Sequence, residues 1–238
     1  MGKRLTHKED ILEKINPDIQ KDMETIWFTA DLHHGHAKII QICGRPITLS
    51  NTQLAQFKEE ERNLQNYEYK KQLNIVHNNW LTNEVINKWV QRKDTIYFVG
   101  DFSMAKRVDA ERFADRLNGN KFLILGNHDK NIHNSTRFTQ ITIRKDFTYS
   151  RFGINIHIVL DHYPLTSWNR KIHGSWSLYG HVHGRLKNSG LSFDVGIDNP
   201  ELHAITGGYY RPLNLFEIVK IMEEKKKMID NNQNFNFE

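Results

Sequence analysis

Apolar residues fall in short dense runs along the chain, and several runs end on a side chain able to bind a metal or move a proton. Residues 5–23 alternate apolar and charged positions and read as a short amphipathic arm over 1–23, interrupted at Asn16-Pro17. Residues 25–30 are β-branched and aromatic, a buried strand ending at Asp31. Residues 37–43 restart a helix, which Gly44-Arg45-Pro46 stops. Residues 51–93 are long, polar and mostly helical. Their apolar positions, among them Leu73, Val76, Trp80, Val85 and Trp89, have the spacing of packing residues, and the charged stretch 58–71 predicts a projecting insertion. Residues 95–99 form the next buried strand, ending at Gly100-Asp101. Residues 108–117 are helical, and 122–125 are a third strand ending at Gly126-Asn127.

The first half therefore runs strand, helices, strand, helix, strand, the signature of a parallel sheet covered by helices. The second half reads differently. Residues 139–149 and 154–160 flank Ser150-Arg151-Phe152-Gly153 as a hairpin, and 177–179 and 191–195 are short strands. A last helix spans 213–228, and 231–238 is an Asn-rich frayed tail. There is no internal repeat, so 24–230 reads as one domain carrying a helical insertion at about 51–93.

Composition narrows the class without naming it. The 238 residues suffice for one sizeable core, and 38% hydrophobic with 26% charged residues excludes global disorder and collagen-like chains. A net charge of +5 favours a phosphate-bearing partner, nucleic acid included, or else marks a Lys-rich solvated surface. The run Lys225-Lys226-Lys227 carries the same two readings. One cysteine, Cys43, forbids an intrachain disulfide and fits a reducing, cytoplasmic setting; in its apolar stretch it reads as a small buried hydrophobe. No apolar run approaches the ~20 residues of a membrane span, so no membrane partner is expected.

The chemistry lies in five motifs: Asp31-Leu32-His33, Gly100-Asp101, Gly126-Asn127-His128-Asp129, His162, and Gly180-His181-Val182-His183. Most follow a predicted strand, and strand ends at one sheet edge are where open α/β folds place their sites. Residues i and i+2 at a strand end point the same way, so Asp31 with His33, and His181 with His183, can each share a metal. Asp101, Asn127 and His162 bring enough further ligands for two ions, with Asp101 able to bridge them. The mixed N/O set suits Mn²⁺, Fe, Zn²⁺ or Ni²⁺.

In this order the motifs resemble the calcineurin-like metallophosphoesterase superfamily, and more narrowly a subgroup of small bacterial and phage phosphoesterases. The narrower likeness rests on Asp31-Leu32-His33-His34-Gly35-His36, Arg45-Pro46, Gly100-Asp101-Phe102, His162-Tyr163-Pro164-Leu165 with Trp168-Asn169, and Val195-Gly196-Ile197-Asp198-Asn199. The resemblance implies a mixed α/β fold: a four-layer αββα sandwich of two mixed sheets flanked by helices. It implies two divalent ions, Mn²⁺ foremost, one held by Asp31, His33 and His183, the other by Asn127, His162 and His181, with Asp101 bridging. It further implies His128 as general acid, Asp129 orienting His128, and hydrolysis by a metal-bridging hydroxide. The substrate would be a phosphate ester, with nucleotides or cyclic nucleotides as phosphodiester candidates. The alternatives are a phosphomonoesterase, a nuclease, or a non-catalytic scaffold on the same fold. The oligomeric state is not legible.

Around the motifs, His36 is expected to touch substrate, and His34 to be structural. Arg45 is either a phosphate clamp through its planar fork or a helix-end cation in solvent. Trp168 and Arg170, in the loop between His162 and His181, either stack a base and hold phosphate or form a Trp-anchored structural loop.

Overall fold

The computed structural model describes residues 10–47, 67–187 and 189–234. The start of the arm (1–9), much of the insertion (51–66) and the last tail residues (235–238) lie outside the described residues.

Strands β1 (Ile26–Thr29), β2 (Thr95–Val99) and β3 (Asn120–Ile124) run parallel. Most of their β-branched and aromatic residues are buried, on both faces, which only a covered sheet allows. Phe28 stacks on Tyr97 at 5.4 Å and Tyr97 on Phe122 at 4.8 Å. A fully buried side chain such as Phe28 contributes about 1.5–3 kcal/mol by leaving water. The parallel β4 (Gln140–Thr142) and the antiparallel β9 (Leu213–Asn214) complete the first sheet, in the order β4-β3-β2-β1-β9. The second sheet is β5 (Arg144–Arg151), β6 (Ile154–Asp161), β7 (Trp176–Tyr179) and β8 (Ser192–Asp194). It is antiparallel at β5/β6 and parallel thereafter. The fold is thus the expected mixed α/β architecture of two mixed sheets with helices.

One core lies between the sheets, built by Phe28, Tyr97, Ile158, Trp176 and Phe193. Helices α1 (Pro17–Met23) and α6 (Leu215–Asn234) share it through Ile19, Met23, Ile218 and Met222. A second core on the far face of the first sheet joins Trp27, Ile96, Phe98 and Leu123 to α4 (Arg107–Arg116) and to the wide helical turn Leu81–Ile86 that follows α3 (Tyr67–Trp80). Helix α2 (Ile39–Cys43) packs Ile40 against Leu73 of α3. Asn16 caps α1 by accepting from the Asp18 and Ile19 N–H groups, with Pro17 at the first helical position.

Three expectations need correction. The stretch 139–149 is not one arm of a hairpin. It divides at Ile143, 76% exposed, so that β4 pairs with β3 and β5 pairs with β6. Ile141 and Phe147 have the same odd parity, so alternation ran unbroken across a change of sheet. Residues 213–214 are strand, not helix: Pro212 precedes them, and Asn214 and Glu217 cap the helix reciprocally. The helix then runs on to Asn234, through residues expected to fray. Helix α5 (Pro200–Ile205), capped by Asn199, was not foreseen. The basic run is paired, Lys225 with Glu201, Lys226 with Glu223 and Lys227 with Asp10. No helix among the described residues is long and apolar enough to cross a membrane.

Candidate metal centre

Parallel β1, β2 and β3 deliver Asp31, Asp101 and Asn127 to one edge of the first sheet. Parallel β6 and β7 deliver His162 and His181 from the second. A bridge between Ala30 and Gly196 fastens the two edges together. Beyond the strands the ladder continues through loops: the Asp31 N–H donates to the Gly100 carbonyl, His33 to Asp101 and His34 to Phe102, at 3.0, 2.9 and 3.0 Å.

The paired ligands do not converge by strand alternation, as the i, i+2 spacing predicted. Asp31, His33, Asp101, His181 and His183 all adopt left-handed backbone, with φ of 59, 52, 51, 72 and 49°. Such conformations cost about 1–3 kcal/mol each in non-glycine residues and persist only where the surroundings over-determine them. Here the loop ladder does so. The Asp31 carboxylate also accepts the His181 backbone N–H at 2.9 and 3.0 Å.

The seven predicted ligands come together in two groups. The donor atoms of Asp31, His33 and His183 lie within 4.8 Å of one another, and so do those of Asp101, His162 and His181. Asn127 Oδ1 joins the second group, 3.1 Å from His162 Nε2. Asp101 stands between the groups. Its Oδ1 is 3.4 Å from His162 Nε2, and its Oδ2 is 3.6 Å from His33 Nε2. His162 Nδ1 is 3.0 Å from the Val99 carbonyl and His183 Nδ1 is 2.8 Å from Asp198. Both contacts fix the tautomer that leaves Nε2 free.

The chemistry of this set fits divalent cations. Both His33 ring nitrogens are buried without a hydrogen-bond partner among the described residues, which is costly unless a cation takes one. Burial, reinforced by nearby Asp194 and only partly offset by His183, pushes the Asp31 carboxyl up to about 7; a divalent cation beside it would reverse that shift. Burial draws His33 down to about 3, the neutral form a ligand needs. Burial would also lift Asp101, but its bond to His162 and the surrounding charges hold it at about 2. Burial opposes protonation of His183, yet the Asp198 carboxylate raises it to about 10; a cation at Nε2 would displace that proton.

Glycines make room for these groups. A Cβ on Gly100, itself at φ +91°, would sit 2.1 Å from His162 Nδ1. Gly100→Ala is therefore expected to destabilise the fold by about 3 kcal/mol or more, since left-handed strain and overpacking each cost roughly 1–3. It should also displace His162. A thermal melt within about 2 °C of wild type, a shift of about 0.5–1 kcal/mol for a chain of this size, would contradict this.

His128 stands over the ligands with its side chain 37% exposed, Nε2 3.9 Å from Asp101 Oδ2 and its ring 5.3 Å from that of His33. Its own N–H donates to Asp101 Oδ1 at 2.9 Å. Asp129 departs from its expected role: its carboxylate does not touch the His128 ring. It is buried and accepts the N–H groups of Gly126 and Ser103 at 2.9 and 3.0 Å, pinning the loops on either side of the centre. Burial raises it to about 6 despite those bonds.

Among the peripheral residues, His36 is half-buried, its ring 5.6 Å from that of His33. His34 is structural, as expected: it stacks on Phe113 at 4.1 Å and contacts the Ser103 hydroxyl at 2.9 Å. Arg45 is not a phosphate clamp and not a solvated helix end. It is buried, because Asp198 and two backbone carbonyls fill its fork. Trp168 packs within its own loop. It is buried, donates to the Ser175 carbonyl at 3.1 Å, and carries Lys171 4.7 Å above its ring, which is the structural-loop alternative. Arg170 is on the exposed turn of that loop at φ +61°, with no hydrogen bond or ion pair to a ligand among the described residues. Cys43 is only half-buried, its sulfur 3.5 Å from His183 Nδ1.

Three residues of the centre had no role assigned from sequence. Asp198 supports His183, and Asp194 accepts the Gly184 and Gly196 N–H groups at 2.8 Å each. His77 meets Arg45. The alternation of Asp194, Gly196 and Asp198 after a strand was the available signal for the first two; His77 is masked by the helical stripe around it.

The chain is similar to known proteins in sequence and in fold. The sequence model of the calcineurin-like phosphoesterase family matches residues 24–203. An uncharacterized protein of Methanocaldococcus jannaschii is 29% identical over 210 residues, 86% of this chain and 94% of that one. The gene 66 protein of Mycobacterium phage D29 is 24% identical, over 74% of this chain and 89% of its own. A solved Aquifex aeolicus protein of unknown function shares the fold with a TM-score of 0.50 at 18% identity, covering 82% of this chain and 98% of that one.

Proposed function

The chain belongs to the calcineurin-like phosphoesterase family, and with that family's metal-dependent hydrolysis of phosphate esters as the premise we propose that it is a phosphodiesterase, acting with two divalent ions, Mn²⁺ foremost, on nucleotides or cyclic nucleotides. The observation that carries the reading is Asp101 set between two ligand groups with a half-exposed His128 above it. When bound, the cations supply Lewis-acid charge to the phosphate oxygens and make water nucleophilic near neutral pH.

The protein's own groups supply the rest. His128 can hold a proton at Nε2 over the phosphate, within reach of a departing oxygen. Asp101, 3% exposed, keeps a fixed negative charge beneath it. Asp129 keeps the His128 loop and the Ser103 loop in register through two backbone bonds. His36 and the exposed Tyr163, whose ring is 4.7 Å from that of His181, border the opening and can contact the substrate beyond phosphorus. A proton donor helps most where the leaving group is a poor alkoxide, as it is in natural nucleotide esters.

Metal-stripped protein restored with Mn²⁺ should hydrolyse bis-p-nitrophenyl phosphate faster than p-nitrophenyl phosphate. A large excess of monoester turnover would remove the diesterase reading. A nuclease is the second reading, favoured by exposed Lys130 and Arg185, each two residues beyond His128 and His183. Oligonucleotide cleavage that falls steeply with salt would support it.

A further inference from the structure

An arginine removed from water is stable only where its N–H groups find acceptors and its charge a partner. The Arg45 side chain is 0% exposed, and its fork is filled. Nε and Nη2 donate to the two oxygens of Asp198 at 2.9 and 2.8 Å. Nη2 also donates to the Asp31 carbonyl at 2.6 Å, and Nη1 to the Leu32 carbonyl at 2.8 Å. Nη1 lies 2.7 Å from His77 Nε2, which is presented by α3. Asp198 in turn contacts His183 Nδ1 at 2.8 Å. One guanidinium therefore restrains the left-handed backbone at Asp31 and, through one carboxylate, the ring of His183. Both belong to the same ligand group. The other group has its own anchors, His162 on the Val99 carbonyl and Asp101 on the His128 N–H; its His181 N–H meets the Asp31 carboxylate, not the Asp31 carbonyl that Arg45 holds.

We propose that Arg45 and Asp198 form a positioning pair for one ion only. The pair sets the affinity of the position made by Asp31, His33 and His183, and leaves the position made by Asp101, Asn127, His162 and His181 unchanged. This inference rests on the two-ion reading above. The physical basis is the support behind the ligand. Asp198 holds His183 in the tautomer that presents Nε2 and raises the basicity of that nitrogen, while Arg45 fixes the carboxylate. Lysine cannot replace the guanidinium, because a point charge on a flexible stem cannot hold two carbonyls, a carboxylate and an imidazole at once. The role of α3 follows: it reaches this ion position through His77 and Arg45, and steadies the same loop where Asn78 accepts the Gly35 N–H at 3.1 Å.

Calorimetric titration of Mn²⁺ into the metal-stripped full chain tests the proposal without reference to turnover. Wild type should take up two ions. Arg45→Lys and Asp198→Asn should each weaken one ion by about 10–100-fold, the usual effect of losing such a supporting group, and leave the other unchanged. Adding His183→Ala to Asp198→Asn should weaken the remaining ion no further, whereas adding Asn127→Ala should weaken it, since coupled losses fall within one site. Circular dichroism checks the fold, and the isosteric Asp198→Asn carries the test if Arg45→Lys does not fold. Two ions of wild-type affinity in Asp198→Asn, or equal weakening of both, would overturn the proposal and leave the two-ion reading standing. A wild type that takes up fewer than two ions would overturn both.

Discussion

Asp101→Ala is expected to lose hydrolysis by at least about 10³-fold, roughly 4 kcal/mol of transition-state stabilisation, and to lose metal at both positions. The expectation follows from how the carboxylate is divided. Oδ1 faces His162 and accepts the His128 N–H, while Oδ2 faces His33 and the His128 ring. Truncation deletes a ligand common to both groups and releases the backbone that carries His128. The left-handed φ at residue 101 stays, now without the charge that repaid it. Asp101→Asn separates the contributions: it retains one oxygen acceptor but no bridging charge, so it should fold better than the alanine variant and still bind metal weakly. Mn²⁺ titration and diester turnover on the same preparations give the answer. An alanine variant that keeps two ions and stays within about tenfold of wild-type turnover would show that Asp101 is not the bridge.

β1, β2 and β3 were legible because buried parallel strands are apolar on both faces, and because each ends on a ligand whose residue type is unusual beside a strand. The residues of the ligand groups stood out by the same route, but their division did not: strand spacing paired His181 with His183, and the structure puts them in different groups. The backbone that brings the ligands together was not legible: left-handed φ at Asp31 and His33 depends on loops holding one another, and no local pattern encodes that. Arg45 illustrates the limit best. Its neighbours Gly44 and Pro46 make it look like a helix-end cation, yet its partner Asp198 lies 153 positions away. Trp168 and Arg170 were visible as an aromatic and a cation in one loop, yet the cation the structure sets over the indole is Lys171. Asp129 was expected to orient the His128 ring, but the three-residue turn it begins aims its carboxylate back at Gly126 and Ser103.

His128→Ala should leave metal uptake near wild type and reduce turnover by about 10²–10⁴-fold, the range for a positioned general acid. His128 differs from the ligands in two respects that make this separable. Its side chain is 37% exposed where those of His33 and His162 are 4% and 1%, and its Nε2 is farther from Asp101, at 3.9 Å. The size of the loss should depend on the leaving group. p-Nitrophenolate departs readily without a proton, so the chromogenic diester should lose least. A dinucleotide or cyclic nucleotide, which must expel an alkoxide, should show the full effect. The loss should also appear in kcat and kcat/KM together, since proton donation is made only in the transition state. An equal loss for both substrate types, or a rise in KM with kcat preserved, would instead assign His128 to holding the phosphate in the ground state. Asp129→Asn supplies the contrast. It weakens the loop bonds at Gly126 and Ser103 and leaves the imidazole in place, so any loss it causes should be indifferent to the leaving group.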